Sequence, residues 1–175
     1  MKRILLALLV LTGCRLALAE GSLEYLDSTY GFRDLKFEQR IENCSGMYLH
    51  IDDGNYKIYK RAQDKLRLGT APLGGISYYF YKGQLERVVF TSGGGESPLT
   101  ILQILEEAYG PADKDPDSSY TYWWSGERVW VKFIYDSHAN PATTVTMVSR
   151  SLEQRKKSDV NGNEKVRARQ GMKDL

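Results

Sequence analysis

Ile76-Ser77-Tyr78-Tyr79-Phe80-Tyr81-Lys82-Gly83-Gln84-Leu85-Glu86-Arg87-Val88-Val89-Phe90-Thr91 is the stretch that decides the fold class. Its two runs, 76–81 and 85–91, are rich in aromatic and β-branched residues, which suit a pleated, half-buried surface. They meet at Lys82-Gly83, where the glycine supports a tight turn. A hairpin is the expectation.

A second hairpin follows the same plan, with strands over 120–124 and 128–135 turning at Ser125-Gly126, and residues 143–149 add a further strand. Between the hairpins lies one amphipathic helix, 99–109. Leu99, Ile101, Leu102, Leu105, Ala108 and Tyr109 form its apolar stripe, with Thr100, Gln103, Glu106 and Glu107 opposite. Ser97-Pro98 suits its N-terminus and Gly110-Pro111 its end. The reading is α+β: an antiparallel β-sheet built from hairpins, with one helix packed on it in a β-β-α-β-β core.

Upstream, 30–37 alternates apolar and polar residues as a strand does. Tyr30 and Phe32 share one parity while Leu35 and Phe37 share the other, so a bulge or bend near Arg33-Asp34 is expected. Residues 47–51 and 56–60 flank Asp52-Asp53-Gly54-Asn55, a hairpin turn. Downstream, 151–175 is polar and charged, and Asn161-Gly162-Asn163 is expected to break any helix. A disordered or partly helical C-terminal tail is therefore anticipated.

At the other terminus, Lys2 and Arg3, the apolar run 4–11 and Ala17-Leu18-Ala19 compose a signal peptide over 1–19. The division is then signal peptide 1–19, a single α+β domain 20–150 and a charged tail 151–175. The apolar run is shorter than the roughly 20 residues a spanning helix needs, so no membrane span is expected. Leu11-Thr12-Gly13-Cys14 offers an alternative, lipidation at Cys14 with a membrane tether, but it would put Arg15 directly after the lipid. The address expected is exported and periplasmic.

The 175 residues are 42% hydrophobic and include 12 tyrosines, enough for one globular core. The formal charge of +2 is mostly leader, because Lys2, Arg3 and Arg15 would leave with it, and the segment 20–150 holds 14 bases against 18 acids. That balance lacks the basic face that neutralises phosphates, so nucleic acid is not an expected partner.

Site chemistry is thin. Gly93-Gly94-Gly95 precedes the helix, but no Lys-Ser/Thr follows and the spacing is not G-x-G-x-x-G. Asp113, Asp115 and Asp117 alternate like calcium ligands, yet Pro116 interrupts them and Trp124 stands where a bidentate glutamate is needed. A solvated turn is the better reading. Cys44 would be the only cysteine left after processing, and His50 and His138 are the only histidines. They supply the ingredients of a cysteine hydrolase without its signature, and no cofactor or metal is implied.

Consecutive aromatics are the stronger signal. Residues 78–81 and 122–124 must send some rings away from the core if their strands are regular, and Tyr79, Tyr81, Tyr122, Trp123 and Trp124 are the candidates for a binding face.

Gly31-Phe32-Arg33, Tyr59-Lys60-Arg61 with Asp64-Lys65-Leu66, Phe80-Tyr81-Lys82-Gly83, Tyr109-Gly110-Pro111, Trp124-Ser125-Gly126 and Lys173-Asp174-Leu175 together resemble a loose group of small exported bacterial proteins. The resemblance spans roughly 30–150 and consists of turn and strand signatures. It implies a fold and an address and carries over no catalytic residue. The functional expectation is a non-catalytic exported binding or accessory module with a protein or cell-wall partner. A small periplasmic enzyme using Cys44 with a histidine, and an inhibitor or immunity-type protein, are the alternatives.

Overall fold

Ser22 accepts the Tyr25 backbone N–H at 3.1 Å and so caps a short helix, α1 (Leu23–Thr29), in the first part of the computed structural model, which describes residues 21–92, 98–118, 120–139 and 142–172. The leader with Cys14, the triple glycine with Ser97, and Lys173-Asp174-Leu175 lie outside the described residues. At seven residues, α1 is too short for periodicity to reveal; the serine cap is its one sequence signal.

Residues 30–37 are corrected from a bent strand to a miniature hairpin, β1 (Gly31–Phe32) against β2 (Leu35–Lys36). Arg33 turns the chain with φ of 59°. The turn resolves the parity conflict, because Phe32, Leu35 and Phe37 are all buried. A 3-10 turn, η1 (Ile41–Asn43), leads into the main sheet.

Among the described residues that sheet has nine strands, all paired antiparallel. The first meander is β3 (Met47–Asp53), β4 (Tyr56–Arg61), β6 (Ala71–Tyr81) and β7 (Gln84–Ser92), with β5 (Arg67–Leu68) beside the start of β6. Helix α2 (Pro98–Tyr109) follows. The second meander is β8 (Asp113–Lys114), β9 (Thr121–Ser125), β10 (Val129–Tyr135) and β11 (Thr143–Ser149). Across the sheet the order is β3-β4-β6-β7-β11-β10-β9-β8, so the meanders run inward from opposite edges and meet at β7 and β11. The turn residues of the sequence do what was expected: Gly54 has φ of 60°, and Lys82 and Gly83 have φ of 48° and 79°.

One face of the sheet, the inner face, holds the core. Ile76, Tyr78, Phe80, Val88, Phe90, Val131, Phe133, Val145 and Met147 pack there with Leu26 of α1, Ile101, Leu102 and Leu105 of α2, and Phe32 and Leu35 of the small hairpin. Phe32 stacks on Phe90 with ring centroids 5.3 Å apart. Each fully buried large side chain contributes about 1.5–3 kcal/mol, so this face carries most of the stability.

The tail differs from expectation. Residues Arg150–Gly171 form a single helix, α3, which continues through Asn161-Gly162-Asn163. Its first turns are anchored on the other, outer face of the sheet. Leu152 is buried, Glu153 accepts the Trp130 indole N–H at 2.9 Å, Lys156 reaches Glu86 at 2.6 Å, and Asp159 accepts from Tyr81 and Lys82, both at 2.6 Å. Nucleation is the costly step in helix formation and each further residue adds a bond, so this docked start offsets the roughly 1 kcal/mol that an interior glycine costs. Among the described residues no helix is long and apolar enough to cross a membrane.

Candidate functional site

Strand register sorts the aromatic candidates by face. Trp124 lies opposite Val131 on the inner face, where it is 1% exposed and donates its indole N–H to the Gly110 carbonyl at 2.8 Å. Tyr109 meets its ring edge-on. Trp124 is therefore a core residue that closes the end of α2, and its place on a binding face is corrected. Tyr81 is corrected too: it is 6% exposed because α3 covers it, and its hydroxyl is held by Asp159. Tyr122 is on the inner face opposite Phe133. Only Tyr79 and Trp123 lie half-buried on the outer face.

Two rows of residues lie next to each other on that face, each crossing five strands. One runs Ser77, Val89, Thr146, Lys132, Trp123 and the other Gly75, Thr91, Thr144, Ile134, Thr121. Val89, Thr91, Thr144, Thr146, Lys132 and Ile134 are all half-buried. The third row, Tyr79, Arg87, Val148, Trp130, passes beside α3. The result is a floor of small and β-branched side chains, flanked by α3 on one side and by Trp123 at the end of a row.

Cations and rings are interleaved here. Lys132 Nζ sits 4.5 Å from the Trp123 ring centroid, the Arg87 guanidinium 5.7 Å from Tyr79, and Trp123 and Trp130 are 5.5 Å apart. Each cation–π contact at such a site contributes about 0.5–1 kcal/mol, and Arg87 is further held by Glu86 at 3.4 Å and Trp130 by Glu153. Among the described residues Lys132 has no ion pair. The face can therefore stack on apolar or planar groups and accept hydrogen-bonding or anionic ones beside them.

Tyr122 belongs to a separate feature, an apolar cavity of about 350 Å³ on the inner side at the open end of α2. Leu99, Leu102, Tyr120, Phe133 and Tyr135 also line it, with Tyr120 standing perpendicular to Tyr135.

The cysteine candidates are not assembled into a nucleophilic site. Cys44 is buried, its thiol donates to the Arg40 carbonyl at 3.3 Å, and burial pushes its pKa up, the opposite of what an attacking thiolate needs. His50 is exposed on the edge strand β3, and His138 is exposed in the loop after β10, toward the other side of the sheet. Asp115 accepts the Asp117 backbone N–H in a local turn, the solvated arrangement expected of that loop.

Trp130, Lys132, Arg87, Thr144 and Thr146 were missed as members of the outer face. Their signal was present as period-two alternation in β7, β10 and β11, but which parity faces solvent depends on the strand order. The turn signatures Gly31-Phe32-Arg33 and Asp64-Lys65-Leu66 also acquire a role: Arg33 donates to Asp64 at 2.7 Å and to the carbonyls of Lys65 and Arg67, and Tyr78 donates to Asp64 at 2.6 Å. They tie the small hairpin to the sheet. Comparison with family models, curated proteins and solved structures returns no match.

Proposed function

We propose that this chain is a non-catalytic, exported binding module that holds a protein or cell-wall partner on the outer face of its sheet. The observation that carries the reading is the open floor between α3 and Trp123, with Lys132 held against the Trp123 ring. The aromatic and arginine members of this face, Trp123, Tyr79 and Arg87, are the residue types enriched at contact surfaces. Export is supported by the leader-like residues 1–19.

Site-specific photocrosslinking tests the reading. A benzophenone side chain at Thr146, in the middle of the floor, is expected to crosslink one discrete partner in cells of the native host, and the Trp123→Ala change is expected to abolish that adduct. The same probe at Gln103, on the exposed side of α2, serves as the control. Equal adducts from both positions, or an adduct at Thr146 indifferent to Trp123→Ala, would sink the proposal.

A further inference from the structure

Strands β4 and β6 pair only from Tyr56↔Tyr81 to Tyr59↔Tyr78. Beyond that point Lys60 and Arg61 pair with β3 alone, opposite Tyr48 and Met47. On the same side of β6, β5 pairs only with Pro72 and Ala71, and the Leu73 N–H is taken by the Leu66 carbonyl. Residues 74–77 of an interior strand therefore have no strand neighbour on that side among the described residues. A cleft of about 320 Å³ fills the gap, lined by Lys60, Arg61, Asp64, Leu66, Gly75 and Tyr48.

The geometry points to this cleft as a docking slot for an extended, acidic segment of a protein partner, which adds a short strand to β6. Main-chain pairing supplies the recognition mode, since an exposed strand edge presents alternating N–H and C=O groups to an incoming peptide. At about 3.3 Å per residue, the open stretch admits three to four residues. Gly74 and Gly75 put no side chains in the way. Gly74 is the extra residue of a bulge between the pairs Leu73↔Ser92 and Gly75↔Thr91, where a Cβ would lie 2.6 Å from the Ser92 carbonyl oxygen, whereas a Cβ on Gly75 meets nothing within 4 Å.

Charge selects the segment. Arg61 is engaged by both oxygens of Asp34 at 2.7 Å, and Asp64 is held by Arg33 and Tyr78. Lys60 makes no ion pair among the described residues and remains the wall's unmatched cation. Tyr48, 51% exposed, and Leu66, 46% exposed, offer apolar cover to the side chains on either side of the acidic one. The slot shares only Gly75 and Ser77, the far ends of the two rows, with the Trp123 floor, and its other walls, Lys60, Tyr48 and Leu66, lie outside it, so loss of peptide binding here and loss of the Thr146 adduct remain distinguishable.

The test uses N-acetylated, C-amidated pentapeptides that alternate valine and threonine around a central glutamate, titrated into the isotopically labelled protein. Shifts are expected in the amide signals of Gly74, Gly75 and Ile76. A central lysine is expected to weaken binding about fivefold, the worth of one partly exposed charge pair near 1 kcal/mol. Lys60→Glu is expected to reverse that preference. Gly75→Leu, whose added Cβ meets nothing within 4 Å, is expected to close the slot, with an unchanged thermal unfolding midpoint showing that the fold is kept. Absence of shifts at these three amides, equal binding of glutamate and lysine peptides, or undiminished binding to Gly75→Leu overturns the assignment.

Discussion

Lys156 Nζ lies 2.6 Å from Oε1 of Glu86, a carboxylate in β7 with no exposed surface. Glu86 is the extra residue of a β-bulge between the pairs Tyr79↔Arg87 and Phe80↔Leu85. Its other oxygen accepts the Tyr56 hydroxyl at 3.0 Å. A charge this deep is tolerated because three groups from β4, β7 and α3 converge on it. Lys156→Met removes one partner, and a loss of about 3 kcal/mol is expected, the low end of the cost of stripping a partner from a buried charge. Urea unfolding checks it. The double variant with Glu86→Gln is expected to lose less than the sum of the single changes; strict additivity would show that the pair does not hold α3.

The two adjacent tryptophans of β9 are expected to behave oppositely. Trp124→Ala leaves a cavity in the core and an unmatched Gly110 carbonyl, with an expected loss of about 4 kcal/mol. Trp123→Ala removes a half-exposed ring and is expected to change stability by less than about 1 kcal/mol. Thermal unfolding of both variants decides, and a large loss at Trp123 would place that ring in the core.

Acid is expected to loosen α3 before the core. Glu38 is held below the usual carboxylate range by hydroxyls of Ser151 and Tyr30. Burial raises Glu153, but the bonds from Trp130 and Lys157 outweigh it and the net shift is downward. Asp159 is lowered by Lys82 and Tyr81. Depressed folded-state values contribute stability that is fully present above the unfolded values, about 4 for these groups, and is lost as pH falls through the folded ones. Protection factors of the amides in residues 152–159 should therefore fall below about pH 4 while those of β7 and β11 stay high. Simultaneous loss of protection in both would contradict this order.

Asp27 locks α1 to the turn between β9 and β10. Its carboxylate accepts the backbone N–H groups of Glu127, Arg128 and Val129 at 2.6, 2.8 and 3.0 Å. A Cβ on Gly126 would lie 2.5 Å from that carboxylate. Asp27→Ala strands those donors, at a cost of about 2 kcal/mol, and is expected to speed exchange at Arg128 and Val129. Unchanged exchange there would show that water replaces the carboxylate.

Cys44 is expected to react slowly with a thiol reagent in the folded protein and rapidly once unfolded, because burial raises its pKa and covers the sulfur. Rapid native labelling at neutral pH would revive a catalytic thiol.

Local signals carried most of the secondary structure. Asp-Gly and Lys82-Gly83 turns, the stripe of α2 and the alternation of β11 each depend on residues within one element, so they could be read one at a time. Strand order is different. Nothing near Thr143 indicates that β11 will insert beside β7, and without that order neither parity of Tyr122-Trp123-Trp124 could be assigned to the core, since both parities are aromatic. The unbroken length of helix α3, beyond a partly helical tail, was not legible for a related reason: its composition is polar, and the groups that hold it, Glu86, Trp130 and Tyr81, are 70, about 20 and nearly 80 residues away in sequence.

The meeting of the two meanders at β7 and β11 makes the centre of the sheet the last part to be completed during synthesis. Until residue 149 has left the ribosome, β7 and β10 each present a bare apolar edge, the most aggregation-prone state of any sheet. Pairing across more than fifty residues also closes slowly. The molecule is thus built to fold only once β11 is complete, and truncations that remove β11 should be lost to proteolysis rather than accumulate as partly folded fragments.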